Sequence, residues 1–329
     1  MKRLLEIVRR FGDRRILVAG DAIADQFLYG NISRVSREAP VFILRHEQTT
    51  TVPGGAANCA MNLASLGARV SLVAVVGRDE PGDELRRKLE TAGVDVKGVI
   101  VSDQIKTTTK VRILAGQSHS NRQQVIRIDY EGNPIGDGEL RESIINGLVQ
   151  RSAEADALVI SDYNYGVVND RVVSLIREST SKPILIDSRF RLSEFTGFTA
   201  ATPNEDEVEH LIGHAIDSTA DLELAATKLK EQLKHKALLV TRGARGMMLL
   251  EDNAAPVHIP AVGSQQSVDV TGAGDTVIAT FALAVASDAS FADAARLANY
   301  AGGLVVMKRG TASVTAAELE HSIINSETD

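Results

Sequence analysis

Short apolar runs, each closed by polar residues, recur along the chain. Residues 14–21 (RRILVAGD), 69–77 (RVSLVAVVG), 155–162 (ADALVISD), 182–188 (KPILIDS) and 236–243 (KALLVTRG) are too short for helices and read as buried strands. Helical patterns separate them. One spans 54–68 and is entered through Gly54 and Gly55; another spans 81–93, opened by Pro81 and closed by Gly93; others cover about 137–151, 168–179 and 217–234. At the start, Leu4, Leu5, Val8 and Phe11 are spaced for one face of a short amphipathic helix. Strands alternating with helices predict right-handed βαβ units, hence an α/β fold with a mostly parallel central sheet and helices on both faces.

Two stretches break that rhythm. Residues 27–52 and 107–131 are β-like with no helix between their runs. They predict antiparallel strands forming a small β-sheet lid beside the main fold. Because these strands are interleaved with the core pattern, one domain over 1–329 is expected rather than two in succession. No fixed-period repeat or low-complexity tract interrupts it.

Composition narrows the function. Hydrophobic residues make up 44% of the 329, enough for a sizeable core, and the net charge of −7 argues against a general nucleic-acid binder. The longest apolar run, 277–286, is far shorter than the ~20 residues of a membrane span, so no membrane partner is expected. The single cysteine, Cys59, lies in an apolar helical pattern; no intrachain disulfide is possible and a reducing, cytoplasmic setting fits. The basic start MKRLLEIVRRFGDRR lacks the apolar core of a signal peptide.

Chemistry concentrates at strand ends, where open parallel sheets bind ligands. Asp21, Asp162, Asp187 and Arg242 all close apolar runs, although for any one of them capping a buried strand is the simpler account. The stretch 268–287 (VDVTGAGDTVIATFALAVAS) is more pointed. Gly272-Ala273-Gly274 opens an apolar helix beginning near Asp275, and a helix N-terminus presents unpartnered N–H groups to an anion. A simple anion site would not place a carboxylate there. A phosphoryl-transfer site would, with the Asp taking a proton from the attacking hydroxyl while the amides hold developing charge. An Asp that only stabilises a helix start accounts for the Asp but not for the glycines. No G-x-x-x-x-G-K-(S/T) loop occurs, and DAIADQ follows Gly20 where a dinucleotide fold would carry glycines.

Residues 269–276 (DVTGAGDT) and 53–67 (PGGAANCAMNLASLG) closely resemble the two signatures of the ribokinase-like (PfkB) carbohydrate kinases, and 202–209 (TPNEDEVE) resembles that family's TPN-x-x-E segment. The matches keep the family's order and span almost the whole chain. Residues 20–44 (GDAIADQFLYGNISRVSREAPVFIL), 160–168 (ISDYNYGVV) and 298–315 (ANYAGGLVVMKRGTASVT) further resemble the D-glycero-D-manno-heptose 7-phosphate kinase portion of bacterial ADP-heptose synthases. Bifunctional members of that group append a nucleotidyltransferase domain, so this chain resembles a stand-alone kinase or an isolated kinase portion. One segment departs from the pattern: after the strand ending at Asp187 those kinases usually read Asp-Pro-Lys-Gly, and here Ser188-Arg189-Phe190 follows.

The resemblance implies ATP-dependent phosphorylation of the C1 hydroxyl of heptose 7-phosphate, with ATP and Mg²⁺ as cofactors. Alternatives are a kinase for another sugar, sugar phosphate or nucleoside, and an inactive sugar- or nucleotide-binding regulator. Asp275 would be the general base, and Gly272, Ala273 and Gly274 the anion hole. Asp21, Asp25, Gly54, Gly55 and Asn58 would grip sugar hydroxyls. Asn204 and Glu207 would lie near the phosphates, with Glu207 reaching Mg²⁺ through water. Thr241, Gly243 and Gly246 would border the nucleotide, and Asn299 its base. The residues themselves allow several of these roles. Asp21 and Asp25, four apart at a strand end, could accept from vicinal hydroxyls. Glu207 offers the hard oxygen that Mg²⁺ prefers, although Asn204 and Glu207 are also spaced as a helix cap and its N3 partner. Arg34, Arg37, Lys110, Arg112, Arg122 and Arg127 gather in the two insertions and suit a phosphate at the far end of a sugar; Arg37, Lys110 and Arg112 are the candidates for that contact. The lid's edge strands are expected to pair two copies into a homodimer. His210 and His214 are four apart, but Gly213 interrupts the helix and no third ligand is near.

Overall fold

Alternation along the first strand shows how the sheet comes to be covered on both faces. Ile16 and Val18 enter one core cluster, while Leu17 and Ala19 enter the other, as the two-residue period of a strand requires. A computed structural model of the chain describes residues 1–116, 122–132, 135–263 and 267–326. Its elements run α1 (Lys2–Arg9), β1 (Arg15–Gly20), β2 (Ala22–Val35), β3 (Phe42–Gly55), α2 (Ala56–Ser65), β4 (Arg69–Gly77), α3 (Glu80–Thr91), β5 (Asp95–Ser102), β6 (Thr109–Gly116), β7 (Gln123–Tyr130), α4 (Glu139–Ser152) and β8 (Ala157–Asp162). They continue with α5 (Asp170–Ser179), β9 (Ile184–Ser188), β10 (Ala200–Ala201), α6 (Glu205–Ile212), α7 (Thr219–Leu233), β11 (Ala237–Thr241), β12 (Met247–Glu251), β13 (Val257–Ile259), α8 (Ala273–Ala286), α9 (Phe291–Val305) and α10 (Ala316–Asn325).

Among the described residues, nine strands form the main sheet in the order β13-β12-β11-β10-β9-β8-β1-β4-β5. All neighbours are parallel except at the β13 edge, where β12 runs against both β11 and β13. This is the α/β architecture expected from the alternating pattern. Buried residues of α1, α2, α8, α9 and α10 fill one face, and those of α4, α5 and α7 fill the other. On α1, Leu4, Ile7 and Val8 are buried, and Phe11 follows them into the core.

The two insertions form a separate four-stranded sheet in the order β3-β2-β6-β7. Its hairpins β2/β3 and β6/β7 are antiparallel as expected, but Ala24–Asn31 of β2 pairs in parallel with Thr109–Gly116 of β6. The all-antiparallel expectation fails there for a topological reason. Between β3 and β6 the chain passes through α2, β4, α3 and β5, so β6 is joined to β2 by no hairpin turn and nothing local imposes an antiparallel pairing. Residues 117–121 of the second insertion lie outside the described residues. Every residue of β7 is exposed, Val125, Ile126, Ile128 and Tyr130 included, and Val35, Val41 and Phe42 are exposed around the β2/β3 turn. Among the described residues no helix is long and apolar enough to cross a membrane.

Candidate active site

β1, β8, β9 and β11 end along one rim of the main sheet, and α8 begins at that rim. The start of α8 explains its own glycines. Gly272 caps the helix in the left-handed region at φ 76°, and a Cβ there would lie 2.5 Å from Asn58 Nδ2. Gly274 is different: a Cβ would meet no protein atom within 4 Å, so its Cα faces open space. The Ala273 amide donates to the Val270 carbonyl at 3.2 Å, and the Thr276 amide to Gly272 at 3.2 Å. Among the described residues no acceptor meets the amides of Gly272, Gly274 or Asp275. The expected Gly272–Gly274 hole is therefore altered: Ala273 is engaged in the preceding turn, and the Asp275 amide extends the donor set.

Asp275 is buried against both α2 and the loop after β8. Its Oδ2 accepts from Asn58 Nδ2 at 2.7 Å and its Oδ1 from the Tyr163 hydroxyl at 3.2 Å. Asn58 is itself held, since Asn62 Nδ2 donates to its Oδ1 at 3.1 Å and Thr276 Oγ1 donates to Asn62 Oδ1 at 2.9 Å. The relay fixes which end of the Asn58 amide faces the carboxylate. Burial pushes the Asp275 carboxyl up to about 7, against the lowering effect of its two hydrogen bonds, with Asp25 raising it and Lys110 lowering it. A carboxyl balanced near neutrality can accept a proton and release it again. Asp187 stands beside it; loss of water pushes its carboxyl well up, and the charges of Asp275, Glu207 and Asp162 add to the rise.

The predicted sugar-binding residues divide. Asp21 is turned inward, where its carboxylate accepts the amides of Tyr163 at 2.8 Å, Tyr165 at 3.1 Å and Val167 at 3.1 Å. It holds the 163–167 loop rather than presenting two free oxygens to a ligand. Asp25 pairs with Arg112 and faces Gly54, where a Cβ would come 2.5 Å from Asp25 Oδ2. Gly55 leads into α2 at φ 57°, and a Cβ there would lie 2.5 Å from the Asp21 carbonyl oxygen. Lys110 stands opposite Asp25 in the β2/β6 register, with its Nζ 5.4 Å from the Tyr163 ring centre and 5.8 Å from that of Tyr165. Burial lowers its pKa below the ordinary lysine value. A cavity of about 500 Å³ lies here between lid and core, lined by Lys110, Arg127, Glu131, Tyr163, Tyr165 and Arg189 among others. Arg34 and Arg122 lie further out on the lid, where Arg122 pairs with Glu47. Arg37 is exposed at the tip of the β2/β3 hairpin, on the order of 30 Å along the strand from Asp25. Within one chain the fold does not bring Arg37 to this cavity, because the strand carries it away from the core.

The predicted nucleotide residues converge. Thr241, Gly243, Gly246 and Asn299 line one cleft of about 200 Å³ together with Ala273 and Gly274. Val277 and Val306 supply an apolar wall that suits a flat base. Asn204 and Glu207 instead cap α6 reciprocally: Asn204 Oδ1 accepts the Glu207 amide at 2.8 Å, and Glu207 Oε2 accepts the Asn204 amide at 2.9 Å. They line neither cavity but stay near, because the Thr241 amide bonds the Pro203 carbonyl at 2.9 Å. Among the described residues no cluster of three His, Cys, Asp or Glu side chains could hold a metal directly. His210 and His214 are exposed, on opposite sides of the Gly213 cap.

Sequence reasoning assigned no individual role to Tyr163, Tyr165 or Arg189. The signal available was position: YNYG directly follows β8, and Arg189-Phe190 directly follows β9, both at the ligand-binding end of the sheet.

A model of the pfkB family carbohydrate kinases matches residues 13–317. Bifunctional protein HldE of Caulobacter vibrioides is 41% identical over 322 residues, covering 96% of this chain and 65% of the relative. That of Hahella chejuensis is 39% identical over 315 residues, covering 95% and 64%. The chain thus spans a little under two thirds of the length of these curated relatives. Ribokinase of Arabidopsis thaliana, solved with ribose and ATP, superposes with a TM-score of 0.75 at 21% identity, covering 94% of this chain and 98% of that one. Phosphofructokinase-2 of Escherichia coli, solved with potassium, gives 0.79 at 19% identity, covering 95% and 99%. The fold is ribokinase-like.

Proposed function

This chain belongs to the pfkB family of carbohydrate kinases and is a sugar kinase; from that premise we propose that it transfers the γ-phosphoryl group of ATP to the C1 hydroxyl of D-glycero-D-manno-heptose 7-phosphate. One observation supports the chemistry: Asp275 is joined to two cavities, through its chain neighbour Gly274, which lines the cleft, and through its hydrogen-bond partner Tyr163, which lines the lid cavity. The Asp275 carboxylate takes the hydroxyl proton, and the sugar oxygen bonds to the γ-phosphorus as the bond to the β–γ bridging oxygen breaks, releasing ADP. The amides of Gly272, Gly274 and Asp275 hold the charge on the transferring group. Thr241, Gly243, Gly246 and Asn299 bound the nucleotide. Asp25, Gly54, Gly55 and Asn58 position the sugar, while Asp21 acts through the loop it holds.

Glu207 retains one carboxylate oxygen outside its cap, beside Asp187, which suits Mg²⁺ held through water better than direct chelation. The ion, when bound, neutralises the phosphates of ATP. A far-end phosphate suits the lid cavity, where Lys110, Arg127 and Arg189 outnumber Asp129 and Glu131. The heptose reading also draws on residues 20–44 and on the HldE relatives. We read residues 1–329 as one kinase domain, and the exposed apolar residues of β7 and the β2/β3 turn as the contact of a homodimer.

The test is ADP release with a panel of acceptors. Release with heptose 7-phosphate, and none with free ribose, fructose 6-phosphate or adenosine, is expected. The reverse pattern would assign a different substrate, and nucleotide binding without release on any acceptor would point to a regulator.

A further inference from the structure

We infer that the loop 163–167, clamped between the Asp21 carboxylate and the Arg141 guanidinium, is a positioning device that sets the proton affinity of Asp275 through the Tyr163 hydroxyl. The inference rests on Asp275 being the general base.

The two clamps take complementary halves of the loop backbone. Asp21 accepts the amides of residues 163, 165 and 167. Arg141, buried on α4, donates to the carbonyls of Val167 at 2.7 Å, Gly166 at 2.7 Å and Ile135 at 2.9 Å. A buried guanidinium whose hydrogen bonds run to backbone carbonyls fixes the chain rather than a ligand. The conformation so held is a demanding one. Asn164 sits at φ 63° and Gly166 at φ 97°, and a Cβ on Gly166 would come 2.9 Å from the Ile135 nitrogen. The clamp directs the Tyr163 hydroxyl onto Asp275 Oδ1 while Asn58 holds Oδ2. Burial and the neighbouring carboxylates push the Tyr163 phenol well above its ordinary range, so it remains a donor. Each carboxylate oxygen keeps a lone pair for the sugar hydroxyl. A hydrogen bond to the ionised form holds that form down in pKa, and its loss raises the pKa.

Other groups also act on Asp275: Asn58 and Cys59 from α2, Asp25 from β2, Lys110 from β6 and Asp187 from β9. All are retained in Tyr163→Phe, which removes one oxygen atom. With saturating ATP and sugar phosphate, the acid limb of the kcat–pH profile should move up by about one pH unit in this variant, a roughly tenfold loss below the limb, with the KM for ATP within about twofold of wild type. Arg141→Lys keeps the charge but loses the three-carbonyl fork, and should move the limb in the same direction. Added to Tyr163→Phe, it should move the limb no further. An unmoved limb in Tyr163→Phe overturns the inference. So does an Arg141→Lys protein that melts earlier yet keeps the wild-type limb, or a double variant whose shifts add. Asp275→Asn separates the two readings. If it retains turnover, the general-base reading fails; if it is inactive while Tyr163→Phe leaves the profile unchanged, only the present inference fails.

Discussion

Asp275→Asn should make the protein more stable and nearly inactive, and the stability gain should grow with pH. The folded-state pKa of Asp275 is raised from 3.8 to about 7, chiefly by burial, so the folded chain holds the proton more tightly than the unfolded chain. The stability associated with this group is complete below about pH 4 and is lost as the pH climbs through about 7. Asn carries no charge at any pH and can still be satisfied, with its oxygen accepting from Asn58 and its amide donating to the Tyr163 oxygen. Relative to wild type the gain is then at most about 1–2 kcal/mol at pH 5 and at most about 4 kcal/mol at pH 8. The chain has no tryptophan, so urea unfolding is best followed by circular dichroism at the two pH values. Asp21 titrates in both proteins and cancels in the difference, whereas Asp187, relieved of the Asp275 charge in the variant, ionises more easily there and adds to the gain at high pH. Loss of the base should lower kcat by about 10²–10⁴-fold with little change in the KM for ATP. A stability difference that does not grow from pH 5 to pH 8, or turnover near the wild-type rate, would refute the reasoning.

Gly274→Ala should leave the melting temperature unchanged or raised, because Ala favours a helix by about 0.5–1 kcal/mol and the new methyl meets no protein atom within 4 Å. The methyl would instead occupy the approach to the amides, so turnover should fall by at least about tenfold; intact turnover would show that no anion comes close there. Gly272→Ala should destabilise by about 1–3 kcal/mol in chemical unfolding, given φ 76° and the 2.5 Å approach to Asn58, and should lower activity with it. Lys110→Met should raise the KM for the sugar phosphate by about tenfold or more and leave that for ATP within about twofold; equal effects on both would remove Lys110 from the phosphate contact.

The periodicity of the chain determined the α/β alternation, five strands of the main sheet (β1, β4, β8, β9 and β11, with β5, β10, β12 and β13 left unread) and the existence of a second sheet, because burial on one or two faces imposes a pattern that single residues display locally. The entry into α8 was equally legible, since the small residues Gly272-Ala273-Gly274 and the placing of Asp275 in the first turn are decided within a few residues, although the left-handed φ of Gly272 came only with the structure. The likeness to known kinases supplied Thr241, Gly243, Gly246, Asn299 and Asn204 as candidate nucleotide residues; the structure gathers the first four into one cleft and leaves Asn204 outside it. Only the tertiary structure decided the rest. Asp21 meets Tyr163 across 142 positions of sequence and Asn58 meets Asp275 across 217, and nothing local to any of them announces the partner. The same holds for the parallel β2/β6 pairing, which follows from the route of the chain through the core, and for Arg37, whose charge matched the expected role while its strand carried it away. Local pattern records what a residue needs for its own burial and backbone; which groups face one another across a site is settled when distant segments pack.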